Sequence, residues 1–422
     1  MIDFALSTEQ HKTREDASKF ADLVLRDAYA SYSKHKSNHE RFQATEPIVR
    51  KAAEMGLIKS AVPAPLGGTG GSLIDVCLVV EELYAVEPSV ALTILANALG
   101  LYPLVAGGTG TQQQEFLAPF LNGRDPALAS LVYSEPAGTA NFFEPGARGM
   151  QTTATKEGNE WILNGEKIWA TNCAGWDSRG ATLQCVVCRE ETSSASSLEE
   201  STMILLVTRE IIQQNPADAY TIVKHLDTPG HTASSGPHVK FDGLRVPGSH
   251  VLARPGTMDA HRLIGAAFTM SAVIVGAMSV GIMRHAFETA LNFAKSRTAG
   301  GTVLLLERQS VADSLIDIKM SVEAARCLTW KAAHALEHMV SAENAYEAKI
   351  WCSEAAVEVV TKAMRVVGIS SYDASCPLAR MLSDALALPI FDGGNVGIRR
   401  RQLQKLFLAD DYDPWQAGFG KA

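Results

Sequence analysis

Asp392 and Arg399 stand seven residues apart in Ile390-Phe-Asp-Gly-Gly-Asn-Val-Gly-Ile-Arg399. A carboxylate so placed can take a proton from carbon, provided that it is ionised at the working pH and fixed beside the substrate. Gly393 and Gly394 let backbone and cofactor approach closely. Asn395 is placed to cap a helix whose positive end favours the ionised acid, with Arg399 about one turn in and close enough to pair with Asp392. Taken alone, Asp-Gly-Gly-Asn is also an ordinary turn. Two more runs carry hydroxyl and aromatic groups, Leu131-Val-Tyr-Ser-Glu-Pro-Ala-Gly-Thr139 and Gly165-Glu-Lys-Ile-Trp-Ala-Thr-Asn172. A Ser134 hydroxyl can hydrogen-bond a heterocycle edge, whereas Trp169 alone reads equally well as a core aromatic.

Other short patterns lead elsewhere. His334-Ala-Leu-Glu-His338 puts two histidines on one helix face, but no third metal ligand can be named. Cys185 and Cys188 form C-x-x-C in a strand-like run, where a separation of three sends the thiols to opposite faces. No G-x-G-x-x-G follows a strand, and neither a P-loop nor a G-x-S-x-G elbow is present. Gly67-Gly-Thr-Gly-Gly71 lacks the lysine of a phosphate cradle and reads as loop geometry.

The elements that must position these residues follow from length and periodicity. A chain of 422 residues is expected to hold two or three packed domains. Its formal charge of -8 argues against nucleic acid or anionic membrane as a partner. Seven scattered cysteines read as reduced thiols in a cytoplasmic protein. Up to about residue 125 the apolar spacing is helical, with Ser7 and Gln10 forming a capping box. Short β-prone runs follow, with Asn164-Gly165 as a hairpin signal and 191–201 as a polar surface loop. Long helical patterns return at 257–297, 304–340, 343–367 and 395–408. Leu263 to Met283 is uncharged over 21 residues, yet its glycines and serines favour a buried central helix over a membrane span.

Together the segments resemble the acyl-CoA dehydrogenase superfamily over nearly the whole chain. Pro65–Gly71 with Val79-Val-Glu-Glu-Leu83 is similar to its Gly-rich loop and E-E-L helix. Leu131–Thr139 resembles T-E-P-x-A-G-S, Gly165–Asn172 resembles G-x-K-x-W-I-T-N, and Ile390–Arg399 resembles I-Y-E-G-T-x-x-I-Q-R. The resemblance implies an α+β fold: an N-terminal α-helical domain at 1–126, a middle β-barrel or sandwich domain at 127–255, and a C-terminal four-helix bundle at 256–422. It also implies FAD, held by Leu131, Val132, Tyr133, Ser134, Thr139, Trp169, Ala170, Thr171, Ile390, Phe391, Gly393 and Gly394. Arg297, Arg308, Gln309, Arg365 and Gly368 would reach the diphosphate and adenosine side of a cofactor bound mainly to a neighbouring subunit, in a homotetramer. Departures stand at Ala299-Gly-Gly301, where the family has Phe-Gly, at Arg365, where it has Gln, and at Ile369, where it has a second Gly.

Aspartate in place of the superfamily's glutamate, with Arg399-Arg-Arg-Gln402 following, resembles the nitroalkane oxidase branch. That likeness implies Asp392 as base, Arg399 as its partner, Ser271 bridging flavin and base, and Phe268 and Leu99 lining an apolar channel. The implied reaction is oxidation of neutral nitroalkanes by O2 to aldehydes or ketones, releasing nitrite and hydrogen peroxide. The alternatives are an acyl-CoA dehydrogenase or oxidase using Asp392 on a thioester, and a flavin-binding protein without turnover.

Overall fold

A computed structural model describes residues 4–144, 146–191, 197–339 and 341–419. Residues 192–196 of the expected polar loop, and 420–422, lie outside them. The helices of seven residues or more before the sheet are α1 Thr8–Phe20, α2 Asn38–Ala44, α3 Glu46–Glu54, α4 Leu73–Tyr84, α5 Pro88–Gly107 and α6 Gly110–Leu121. Their starts are written locally: Ser7, Ser37, Ser72 and Thr109 each form a capping box with the residue three further on.

Eight strands follow among the described residues: β1 Ala129–Val132, β2 Thr153–Glu157, β3 Glu160–Lys167, β4 Leu183–Glu190, β5 Thr202–Thr208, β6 Tyr220–Lys224, β7 His238–Pro247 and β8 Val251–Ala253. They hydrogen-bond in the order β6-β7-β3-β2-β4-β5-β8, with β1 running parallel to β4. Both faces of β4 are covered: Cys185 belongs to the main core and Cys188 to a second core on the sheet's other side, as their spacing requires. The hairpin expected at Asn164-Gly165 does not form. β3 runs through both residues, and the turn lies at Gly158-Asn159 between β2 and β3. Asn164 instead accepts a hydrogen bond from the Gly243 N–H at 2.7 Å, where the β3–β7 register shifts. A Cβ on Gly165 would come within 2.6 Å of the Thr152 backbone, so the glycine serves close approach rather than a turn. The short strands β6 and β8 lack alternation long enough to be read from sequence.

The chain then builds α7 Asp259–Ser296, α8 Gln309–His338, α9 Glu343–Val367, α10 Pro377–Ala387 and α11 Arg400–Phe407. The first four of these pack together, with α7 also against α4 and α5. Every residue from Ser271 to Met283 is buried, so the uncharged run is interior helix. Its glycines admit neighbours: a Cβ on Gly276 would meet Thr329 Oγ1 at 2.6 Å, and one on Gly281 would meet Tyr84 Cβ at 2.7 Å. The helix expected over 395–408 opens with a π turn, Asn395–Arg399, and only then becomes α11.

Candidate active site

The loop between α10 and α11 carries Asp392, whose φ of +58° is in the left-handed region that aspartate tolerates better than most residues. The Ser271 hydroxyl of α7 donates to Asp392 Oδ2, while Oδ1 has no hydrogen-bond partner among the described residues. Burial raises the pKa of the Asp392 carboxyl, opposed by the positive charges of Arg399 and Lys349. Arg399 is completely buried. Its Nη2 donates to the main-chain oxygens of Asp392 at 2.6 Å and Phe268 at 2.7 Å, and its Nη1 to Gln402 Oε1 at 3.1 Å. The expected pairing with Asp392 is therefore corrected: no ion pair joins the two side chains, because the left-handed turn points the carbonyl of residue 392 at the guanidinium. Gly393 permits this, since a Cβ there would lie 3.0 Å from Arg399 Nε.

Asn395 is corrected too. It caps nothing. Its buried amide spans the loop and α9, donating to Ser353 Oγ at 3.0 Å and Glu354 Oε1 at 3.2 Å and accepting from Lys349 Nζ at 2.7 Å. Lys349, missed in the sequence, is fully buried, and its Nζ also donates to Pro389 O at 3.3 Å. Burial, then the Arg399 charge, push it down to about 7, against the pull of Asp392 and Glu354. Its signal was a lysine among the apolar positions Ala345, Ala348, Cys352 and Ala356.

From this group the site extends to the sheet. The Phe268 ring meets Tyr133 edge-on at 5.5 Å between centroids, and the two sequence segments flanking Tyr133 and Trp169 run side by side, joined by Ile168 N–H to Ser134 O at 2.9 Å. A buried ion pair underpins them: Lys167 Nζ donates to Glu135 Oε1 at 3.1 Å and to Tyr133 O at 2.9 Å. Burial works to raise the Glu135 pKa, but Lys167 and the N–H groups of Gln151 and Thr152 outweigh it, leaving the carboxyl below its usual range. Lys167 itself is lowered by burial. The side chains of Val132 and Ala170 point into the β core, so only their backbone can meet a ligand.

This ledge suits a flavin. Trp169, at φ +65°, is 58% exposed, which leaves a ring face uncovered, and a Cβ on Gly236 would lie 3.3 Å from its backbone. The hydroxyls of Ser134, Thr139 and Thr171 have no hydrogen-bond partner among the described residues, so they are free to meet a polar ring edge. On the loop side Ile390 is 73% exposed and Phe391 half-buried.

Several expected residues are not brought here within one chain. Arg297, Arg308 and Arg365 are exposed, with no ion pair among the described residues. Gln309 Nε2 donates to Asp313 Oδ1 at 2.8 Å, and Gly368, at φ +72°, ends α9. None hydrogen-bonds to the Asp392 group. Leu99 is half-buried on α5 against the main core. Glu337 of the histidine-rich pattern accepts from Leu73 N–H at 2.6 Å, which commits it to the start of α4.

Behind Phe391 lies a second buried polar group. The His231 ring is 6.0 Å from the Phe391 ring and 5.9 Å from that of Tyr84, centroid to centroid, and the main-chain N–H of His231 donates to Asp384 Oδ1 at 2.6 Å. Burial lowers His231 to about 4 and raises Asp384 to about 6.

Models of the acyl-CoA dehydrogenase N-terminal and C-terminal domains match residues 7–124 and 261–407. A nitroalkane oxidase of Podospora anserina is 50% identical over 428 residues, covering 99% of both chains. One from Fusarium oxysporum is 47% identical, covering 100% of this chain and 98% of its own. Among solved structures, an active-site variant of nitroalkane oxidase crystallised with 1-nitrooctane superposes with a TM-score of 0.96 at 46% identity, covering 100% of both chains.

Proposed function

Since the chain belongs to the acyl-CoA dehydrogenase family, and within it to the nitroalkane oxidases, we propose that it oxidises neutral primary and secondary nitroalkanes with Asp392 as the base. The observation that carries this reading is the asymmetry of that carboxylate, one oxygen held by Ser271 and the other open. The protein is a flavoprotein, and the ledge of Ser134, Thr139, Trp169 and Thr171 would hold its FAD. Bound FAD supplies the two-electron acceptor that the oxidation needs.

The chain's own residues handle the proton. A nitro group makes the neighbouring C–H acidic, so a carboxylate is a sufficient base. As that C–H bond breaks, the proton passes to Oδ1 of Asp392, and the electron pair stays on the substrate, spread over the nitro group. Ser271 keeps the carboxylate aimed, and Arg399 holds the carbonyls of residues 392 and 268, fastening the base loop to α7. Phe268, beside Tyr133, supplies apolar wall for an alkyl chain.

The products under this reading are an aldehyde or ketone, nitrite, and hydrogen peroxide from O2. The unpaired Arg297, Arg308 and Arg365, with Ile369 at 87% and Tyr372 at 80% exposed, support assembly into a homotetramer that completes the cofactor site between subunits. The cysteines, none in a disulfide among the described residues, support residence in the reducing cytoplasm. The test is to give the purified holoprotein nitroethane and 1-nitrooctane under air, measuring nitrite and O2 uptake, with flavin bleaching by acyl-CoA followed in parallel. Nitrite release supports the reading; bleaching by acyl-CoA without nitrite overturns it.

A further inference from the structure

We infer that Lys349 is a positioning residue for Asp392, fixing both ends of the loop that carries the base; this rests on the proposed role of Asp392. A completely buried lysine is rare unless paired. No carboxylate among the described residues lies within ion-pair distance of this one. Its ammonium group is spent on the loop instead, donating to Pro389 O at 3.3 Å and Asn395 Oδ1 at 2.7 Å. Pro389 O also accepts from Asn395 N–H at 2.9 Å, so residues 389 and 395 close a ring with Asp392 near its middle. The Asn395 amide then anchors that ring to Ser353 and Glu354, on the same helix as the lysine.

The arrangement complements Arg399. Arg399 grips the loop at its centre through Asp392 O, and Lys349 grips it at its two ends. Neither cation contacts the carboxylate directly, so both act on it through backbone position and through charge. The groups facing them are few. Lys349 meets the charges of Arg399 and Asp392 from the loop side and Glu354 from its own helix. Asp392 also faces Tyr84 of α4, and Arg399 faces Tyr346 of α9. A methionine would fill the space of the lysine stem but provide neither the hydrogen bonds nor the charge.

The test is the pH profile of kcat/KM for nitroethane, with FAD content measured on every sample, in Lys349→Met and Lys349→Gln. Misplacement of a catalytic group by about 1 Å costs on the order of 100-fold. Lys349→Met is expected to retain FAD, to lose about 10- to 100-fold in kcat/KM, and to show an acidic limb moved to higher pH, because one of two cations favouring the ionised acid is gone. Lys349→Gln keeps a donor without charge: it should recover part of the rate while its limb stays displaced. That variant decides the matter if Lys349→Met does not fold. A wild-type rate and limb in a variant that keeps FAD overturns the inference, as does a loss that merely follows FAD content with the limb unmoved. Wild-type protein that releases no nitrite would overturn the proposed function instead.

Discussion

Ser271 donates its hydroxyl to Oδ2 of Asp392 across 121 residues of sequence. A hydrogen bond to an ionised group contributes about 1.5–3 kcal/mol, which at roughly 1.4 kcal/mol per tenfold is a factor of about 10 to 100. Ser271→Ala is expected to lower kcat/KM by that factor on the acidic side of the profile, with less loss at alkaline pH, where the carboxyl ionises without help. A full pH profile with nitroethane checks this; a uniform loss at all pH values would contradict it.

Asp392→Asn removes the proton acceptor while keeping side-chain size and a partner for Ser271. Nitrite release from neutral nitroalkanes should fall by about 100- to 10,000-fold, with FAD still bound. A nitroalkane ionised in alkali before mixing needs no base, so its oxidation should suffer far less. Comparing the two forms of one substrate by stopped flow separates a lost base from a damaged site.

Arg399→Lys tests whether the guanidinium acts by shape or by charge. A lysine cannot serve the carbonyls of residues 268 and 392 together with Gln402. Leaving a buried acceptor unmatched costs about 1–3 kcal/mol. The expected result is a lowered melting temperature together with reduced kcat, both read on the holoprotein; unchanged melting would show that charge alone matters.

Asp384 supplies a pH-dependent prediction. Burial raises its carboxyl from 3.8 to about 6 in the fold. A raised acid favours the native state below pH 3.8, and that advantage is lost as pH climbs through about 6, when a buried carboxyl must ionise. Asp384→Asn keeps an acceptor for the His231 N–H but cannot ionise. The stability of the variant relative to wild type should therefore rise between pH 4 and 6 and level off by pH 8. Thermal melts across that range test it, and a flat difference would refute it.

Much of this was legible in the sequence where the controlling physics is local. The Ser7–Gln10 capping box marked the start of α1, and an alternation of two sent Cys185 and Cys188 into different cores. The meeting of Ser271 with Asp392 was implied by family resemblance. What escaped depends on distant neighbours. Asn164-Gly165 suits a hairpin or a shifted register equally, and only the Thr152 backbone behind Gly165 decides. Arg399 binds a carbonyl rather than a carboxylate because of one left-handed residue, which composition does not signal. Lys349 stands on the apolar stripe of α9, but the acceptors that use it come from the loop over it.

The Lys167–Glu135 pair has a consequence for kinetics of assembly with the cofactor. Because the two segments beside Tyr133 and Trp169 are already bolted together beneath their surface, the ordering entropy of that face is met during folding. Capture of the FAD proposed for that face should resemble docking onto a rigid shelf, with little heat-capacity change from local folding. Breaking the pair would turn the same encounter into slow, disorder-coupled binding, even though neither side chain reaches the surface.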